Sequence, residues 1–308
     1  MRFPVSDGHC DYLFGQVNSG YVFDNPVSNQ AINLQDMKSG NVAIQFFAAW
    51  IDTDQKIPPV DQCLLMIDAY HGLMNKHPEL CPLTRDFTPD SGKIATVLAI
   101  EGGEAIDGSL SILRDFYVLG VRAMTLTWNS NNELAGSSQG WGNRGLSPLG
   151  KEVVEEMERI GIAVDVSHLS DKGIEDVLKI TKKPIFASHS NCRTVFHSAR
   201  SLPDEYIREI ARRGGTVGIN FYNKQLTTKK LATVEDIVNH IVHLREIGGL
   251  NCCAIGSDFD GMPIYPKGLE SSSGLQLISD KLLEIGFSED DVYKVMYQNL
   301  HDYIVQFC

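Results

Sequence analysis

Short runs rich in Val and Ile alternate along the chain with longer stretches in which apolar and polar positions interleave. The runs fall at residues 3–7, 42–50, 94–100, 118–127, 162–166, 184–188, 216–221 and 252–256. Near-continuous apolarity over a few residues marks strands buried on both faces of a parallel sheet. The stretches between them carry helical spacing. Residues 60–75 set Leu64, Leu65, Ile67, Ala69 and Leu73 among polar neighbours. Ser147 followed by Pro148 supplies an N-cap and a first helical position for 148–160. Ser170 caps 170–180, although Gly173 stands where a capping box has its acidic partner. Residues 203–213 and 234–247 are helical, the second capped by Thr233 and stopped by Gly248-Gly249. Two more helices are predicted at 274–285 and 288–307.

Eight strands alternating with helices, undivided by any linker, predict an α/β fold: one (β/α)8 TIM barrel domain over residues 1–308. A doubly wound sheet is the alternative, which the lack of a glycine-rich dinucleotide turn disfavours.

Composition narrows the function. The 308 residues carry 27 Lys+Arg against 39 Asp+Glu, a formal charge of −12. A nucleic-acid partner is not expected, since phosphate neutralisation calls for clustered basic residues. No apolar run approaches the roughly 18 residues of a membrane span, and the opening residues lack the apolar segment of a signal peptide. Seven cysteines without a Cys-x-x-Cys pair are expected to be reduced, in the cytoplasm.

The chemistry-bearing residues fall just past the apolar runs. His9 and Asp11 follow the first, Glu101 the third, His168 the fifth, His189 the sixth, and Asp258 and Asp260 the eighth. Strand C-terminal ends are where a barrel gathers its active site. Residues two apart on an extended chain face the same way, so His9 and Asp11 can reach one ion. Three imidazoles with several carboxylates suit zinc or a related divalent ion, and a carboxylate can bridge two of them. Two such ions, by general rule about 3.5–4 Å apart, would clamp and ionise a bridging water. His71, His77, His197, His240, His243 and His301 sit in helical or loop patterns and are expected outside the site. The spacing of His240 and His243 can bind metal, but a solvated helix face is expected there.

Six motifs carry a family resemblance from Asp7 to about Asn299. They are Asp7-Gly8-His9-Cys10-Asp11, Ile100-Glu101-Gly102-Gly103, Leu126-Thr127-Trp128-Asn129, Asp165-Val166-Ser167-His168, Ser188-His189-Ser190 and Gly256-Ser257-Asp258-Phe259-Asp260-Gly261, with Asn220-Phe221-Tyr222 beside them. Together they resemble the membrane (renal) dipeptidase family, peptidase family M19, among the metal-dependent amidohydrolase-type barrels. The resemblance implies two zinc ions per chain, with manganese or cobalt as alternatives. His9 and Asp11 would hold the first, Glu101 would bridge, His168 and His189 would complete the second, and Asp258 would handle the proton of the bridging hydroxide. Arg200 and Tyr222 fall on the family's contacts to the free carboxylate of a dipeptide, with a surface ion pair to Asp204 as the competing role for Arg200. Trp128 stands where better-studied members have a histidine that polarises the scissile carbonyl. An indole donates one hydrogen bond but cannot become cationic, so the metals or Asn129 take that role, or Trp128 shapes the pocket.

The resemblance also implies a soluble, bacterial-type member, a homodimer or larger assembly, and dipeptides whose C-terminal residue is often of D configuration. Two other readings stay open: hydrolysis of another amide, lactone or phosphoester on the same barrel, and a non-catalytic binding module that keeps the metal site. Side-chain preference is expected to lie in residues 12–29 and 130–144, the second a candidate lid from its composition.

Overall fold

The computed structural model, which describes residues 2–308, folds as a curled parallel sheet wrapped by helices. The strands are β1 (Val5–Asp7), β2 (Val42–Trp50), β3 (Leu80–Pro82), β4 (Ile94–Glu101), β5 (Val121–Thr125), β6 (Ala163–Asp165), β7 (Val217–Ile219) and β8 (Cys253–Ile255). Their order is β6-β5-β4-β2-β1-β8-β7, with β3 beside the first half of β4. Helices follow the strands at Pro59–Lys76, Leu110–Val118, Pro148–Ile160, Asp171–Ile180, Asp204–Arg212, Val234–Gly248 and Gln276–Glu284. The capping signals act as the sequence suggests. Ser147 Oγ accepts the Gly150 N–H and Ser170 Oγ the Gly173 N–H, each at 2.9 Å. Thr233 donates its N–H to the Asp236 carboxylate at 2.9 Å.

Alternation along the strands separates two cores. On β4, Ile94, Leu98 and Ile100 pack outward against the helices, whereas Ala95, Val97 and Ala99 join an inner cluster with Phe46, Ala123, Ala163, Phe186 and Ala254. The C-terminal helical segment closes the foot of that cluster, with the Tyr303 ring 4.9 Å from Phe186. Continuing the inner row by one step brings Glu101 to its top.

Four sequence expectations need correction. Residues 118–120 are not strand: Val118 ends a helix, 81% exposed, and Gly120 at φ 106° turns the chain into β5. An apolar residue exposed at a helix end is indistinguishable from strand by composition alone. Residues 184–188 form single bridges, Phe186 with Asp165 and Ala187 with Val217, rather than a regular strand. There the Ser188 carbonyl is wedged against Gly8, Gly218 and Gly256, close enough that a β-carbon on Gly218 or Gly256 would overlap it. The unforeseen β3 is three residues ending in proline, too short to show a period. The tail at 288–307 carries a π-helical stretch, Lys294–Gln298, between two short helices.

Helices Tyr12–Asn18, Leu34–Ser39 and Leu110–Val118 also escaped the sequence pattern, the first two being barely two turns long. Among the described residues no helix is long and apolar enough to cross a membrane, and all seven cysteines are free.

The glycine cradle around Ser188 gives a stability test. Gly256→Ala is expected to lose about 3 kcal/mol by overpacking. Gly72→Ala, in a helix interior with nothing near the new methyl, should gain about 0.5–1 kcal/mol. Urea unfolding midpoints of the two variants check this, and shifts of the same sign would contradict the cradle.

Candidate metal centre at the strand ends

The candidate ligands are delivered by five strand exits, His9 and Asp11 sharing the first. Glu101 is the last residue of β4, in register with Trp50 of β2 and Thr125 of β5. His9 lies two residues past β1, and Asp11 is the residue from which helix Tyr12–Asn18 starts. His168 follows β6, His189 the bridged segment, and Asp258 follows β8. His168 and Asp258 hold φ of 69° and 62°, in the left-handed region that non-glycine residues seldom adopt. Such backbones persist where the surroundings enforce them and cluster at functional sites.

The side chains converge. Glu101 Oε1 lies 2.9 Å from His168 Nε2 and 3.4 Å from His189 Nε2, while Oε2 lies 3.4 Å from His9 Nε2. His168 and His189 face each other through Nε2 at 2.9 Å, and His9 Nε2 is 3.6 Å from Asp11 Oδ2. Two overlapping sets place their ligand atoms within 4.8 Å of one another: His9, Glu101 and His189, and His9, Asp11 and Asp258. Glu101 is 3% exposed, and His9 Nε2 and Asp11 Oδ1 are buried without a hydrogen-bond partner. Orphaned nitrogen and oxygen atoms aimed at one point, in a set of imidazoles and carboxylates, fit a divalent cation.

The electrostatics agree. Burial would raise the Glu101 carboxyl, but His9, His168 and His189 hold it well below the usual range. Burial would lower the His9 imidazole, yet Glu101 and Asp11 raise it well above its ordinary value. His168 is pushed down to about 4 by burial and by Arg200, and His189 is also driven well down by burial and by His9. Burial pushes Asp258 up to about 8, with Asp11 and Glu101 adding to it and His9 opposing. Glu101, His168 and His189 thus already stand in the protonation states that metal binding requires, whereas His9 and Asp258 would release a proton to an incoming cation.

A second ring of residues fixes these side chains. His168 Nδ1 donates to Asn129 Oδ1 at 3.1 Å, which also accepts from Gln139 Nε2 at 2.8 Å. His189 Nδ1 bonds Ser188 Oγ at 2.7 Å. Outer partners of this kind set ring orientation and turn Nε2 towards an ion. Asp258 Oδ2 accepts from Asn220 Nδ2 at 2.9 Å, and the Asn220 N–H bonds Asn191 Oδ1 at 3.1 Å. Asp7 accepts the Ser257 N–H at 2.8 Å and its hydroxyl at 2.6 Å, tying β1 to β8. Asp165 accepts from the Ser167 and Ser188 amides at 2.9 and 3.0 Å. These two aspartates were not singled out from the sequence. Their signal was visible, because Asp7 precedes His9 by two residues and Asp165 precedes His168 by three.

A cavity of about 280 Å³ opens beside the cluster. Asp11, Glu101, Trp128, Asn129, His168, Arg200, Tyr222 and Asp258 line it, as do Phe14 and Gln139, from the two segments expected to carry side-chain preference, and Trp50 and Gln225, which the sequence did not suggest. His9 and His189 lie just behind. Arg200 is 4% exposed, donates Nη2 to the His189 carbonyl at 3.2 Å and leaves Nε unpaired. Burial lowers it to about 10. It makes no pair with Asp204, whose carboxylate binds His243 at 2.9 Å and Thr194 at 3.0 Å. His240 is not on a solvated face either: it is fully buried, and Nδ1 accepts the Cys192 N–H at 3.1 Å. The segment 130–144 is pinned as a wall. Ser137 Oγ donates to the Trp128 carbonyl at 2.6 Å and the Ser138 N–H to the His168 carbonyl at 2.8 Å, leaving Trp141 exposed at the tip.

Comparison with known proteins shows the family. The sequence pattern of the membrane dipeptidase family (peptidase family M19) matches residues 1–303. Dipeptidase 3 of Mus musculus and of Homo sapiens are each 32% identical over 97% of this chain, which spans 63% and 64% of their lengths, just under two thirds. A metallopeptidase from Rhodobacter sphaeroides, solved with a phosphinate mimic of the dipeptide L-Ala-D-Ala, is 25% identical, covers all of both chains and has a TM-score of 0.90. An amidohydrolase of Burkholderia multivorans, solved in two crystal forms, shares the fold at 9% identity, with TM-scores of 0.54 and 0.55 over 88% and 99% of this chain. On its sequence, its fold and the residues gathered at its strand ends, the chain belongs to the membrane dipeptidase family, peptidase family M19.

Proposed function

We propose that the chain is a binuclear zinc dipeptidase, with manganese or cobalt as alternative metals. One observation carries the reading: the buried Glu101 carboxylate stands between His9 on one oxygen and His168 with His189 on the other, beside a cavity that also holds the unpaired Arg200 Nε. His9 and Asp11 would hold one ion, His168 and His189 the other, and Glu101 both. Two divalent ions there would supply the Lewis acidity that brings the pKa of water towards neutrality. The structural side of the proposal is that 184–188 serves as the sixth position of a closed (β/α)8 barrel, supported by its bridges to β6 and β7.

The residues of the chain divide the remaining work. Arg200, with Tyr222 beside it, binds the free carboxylate of the dipeptide through its guanidinium. Asp258, held by Asn220, takes a proton from the attacking water. Water oxygen bonds to the scissile carbon, the C–N bond breaks, and Asp258 returns the proton to the departing amine. Asn129 keeps His168 in its orientation, and Trp128 bounds the pocket.

A panel of dipeptides, lactones and phosphodiesters offered to zinc-loaded protein tests the reading. Dipeptide hydrolysis that stops on chelation is expected, and a preference for either of the other classes would overturn it. Asp258→Asn should keep its metal and lower kcat by about 10²–10⁴-fold; near-normal kcat would remove the proton role. Arg200→Met should raise KM by about 10–100-fold, the worth of a charged hydrogen bond to carboxylate. An unchanged KM would place the carboxylate elsewhere.

A further inference from the structure

We infer that Phe14, Trp50 and Trp128 form a specificity-determining subsite that selects dipeptides with a bulky, uncharged amino-terminal side chain. The inference rests on the dipeptidase reading and says which substrates that site takes.

The three rings form one continuous wall. Phe14 meets Trp50 edge to face with centroids 4.5 Å apart, and Trp50 meets Trp128 in the same manner at 4.8 Å. Trp128 in turn lies 6.5 Å from the His168 ring, so the wall runs up to the ligand cluster. All three residues line the cavity. The wall is held by the fold rather than by mobile loops. Trp50 is the last residue of β2, paired with Glu101, and the Trp128 carbonyl is fixed by Ser137 Oγ. Apolar surface on rigid elements is the usual lining of a small-molecule site, with a few polar groups to set orientation.

Topology assigns the wall to one end of the substrate. Trp50 ends β2, and Phe14 and Trp128 lie beyond the exits of β1 and β5. Tyr222 and Gln225 lie beyond β7, on the other side of the mouth, and Arg200 on the segment leading to it. A dipeptide whose carboxylate is held by Arg200 therefore extends towards the wall with its amino-terminal residue. Charge excludes the alternatives. An acidic side chain on the wall meets the electron-rich ring faces, which repel its charge and offer its carboxylate no hydrogen-bond donor. The ring faces attract a lysine ammonium by cation–π interaction but offer no acceptor for its three N–H groups, and the hydration lost on burial outweighs that attraction.

The test uses the zinc-loaded full chain and a series in which only the first residue varies: Gly-Ala, Leu-Ala, Phe-Ala, Glu-Ala and Lys-Ala. The expected kcat/KM for Leu-Ala and Phe-Ala exceeds that for Gly-Ala by about 10–100-fold. Trp128→Ala should cut the Phe-Ala to Gly-Ala ratio at least about tenfold, mainly through KM, and Trp128→Phe should restore most of it. Phe14→Ala, away from the ligand shell, should lower the same ratio and serves if Trp128→Ala fails to fold. Hydrolysis in which the ratio survives both alanine variants, or in which Glu-Ala or Lys-Ala outpaces Leu-Ala, overturns the subsite alone. No hydrolysis of any dipeptide overturns the dipeptidase reading and the subsite with it.

Discussion

A carboxylate buried at the end of β4 among three imidazoles is the constraint that the rest of the molecule serves. Removing Glu101 from water is expensive unless positive charge and hydrogen bonds compensate it, and Asp11 and Asp258 add two more carboxylates to the same volume. His9 answers part of that demand, being drawn towards its charged form by Glu101 and Asp11. His168 and His189 do not, because burial holds them neutral. The cluster therefore offers lone pairs and negative charge in excess of the protons available to it. A divalent cation is the partner that satisfies both.

Holding such groups together requires a frame that cannot relax. Asp7 and Asp165 lock neighbouring strand ends by accepting amides across them, and the Ser188 carbonyl sits where only glycines leave room. The left-handed backbones of His168 and Asp258 aim their side chains at the mouth. The same frame fixes Trp50 and Trp128 beside the ligands, so metal binding and substrate shape share one rigid support.

Most of the sheet and nearly all the residues that the structure gathers at the strand ends were legible in the sequence, for a physical reason. Buried parallel strands are largely apolar, so the polar residues within a few positions of the end of each run announce the strand end, and His9, Glu101, His168, His189 and Asp258 are among them. What escaped lacks that contrast. β3 and the helices Tyr12–Asn18 and Leu34–Ser39 are too short for a period to emerge. Residues 184–188 read as strand because they are buried, yet close packing against glycines limits them to single bridges. The aromatic wall was half seen. Trp128 was noticed in its motif, but Trp50 ends an apolar run and reads as core, and Phe14 lies on a helix that the pattern did not reveal. Arg200 admitted two roles until its burial, and the engagement of Asp204 by His243, decided against the surface pair.

The central claim is a bridged pair of ions, and metal content per chain tests it most directly. Protein purified without chelators, or stripped and reloaded with zinc, is predicted to hold about two ions per chain, falling well below that in Glu101→Ala. No uptake on reconstitution, or two ions retained without Glu101, would contradict the account.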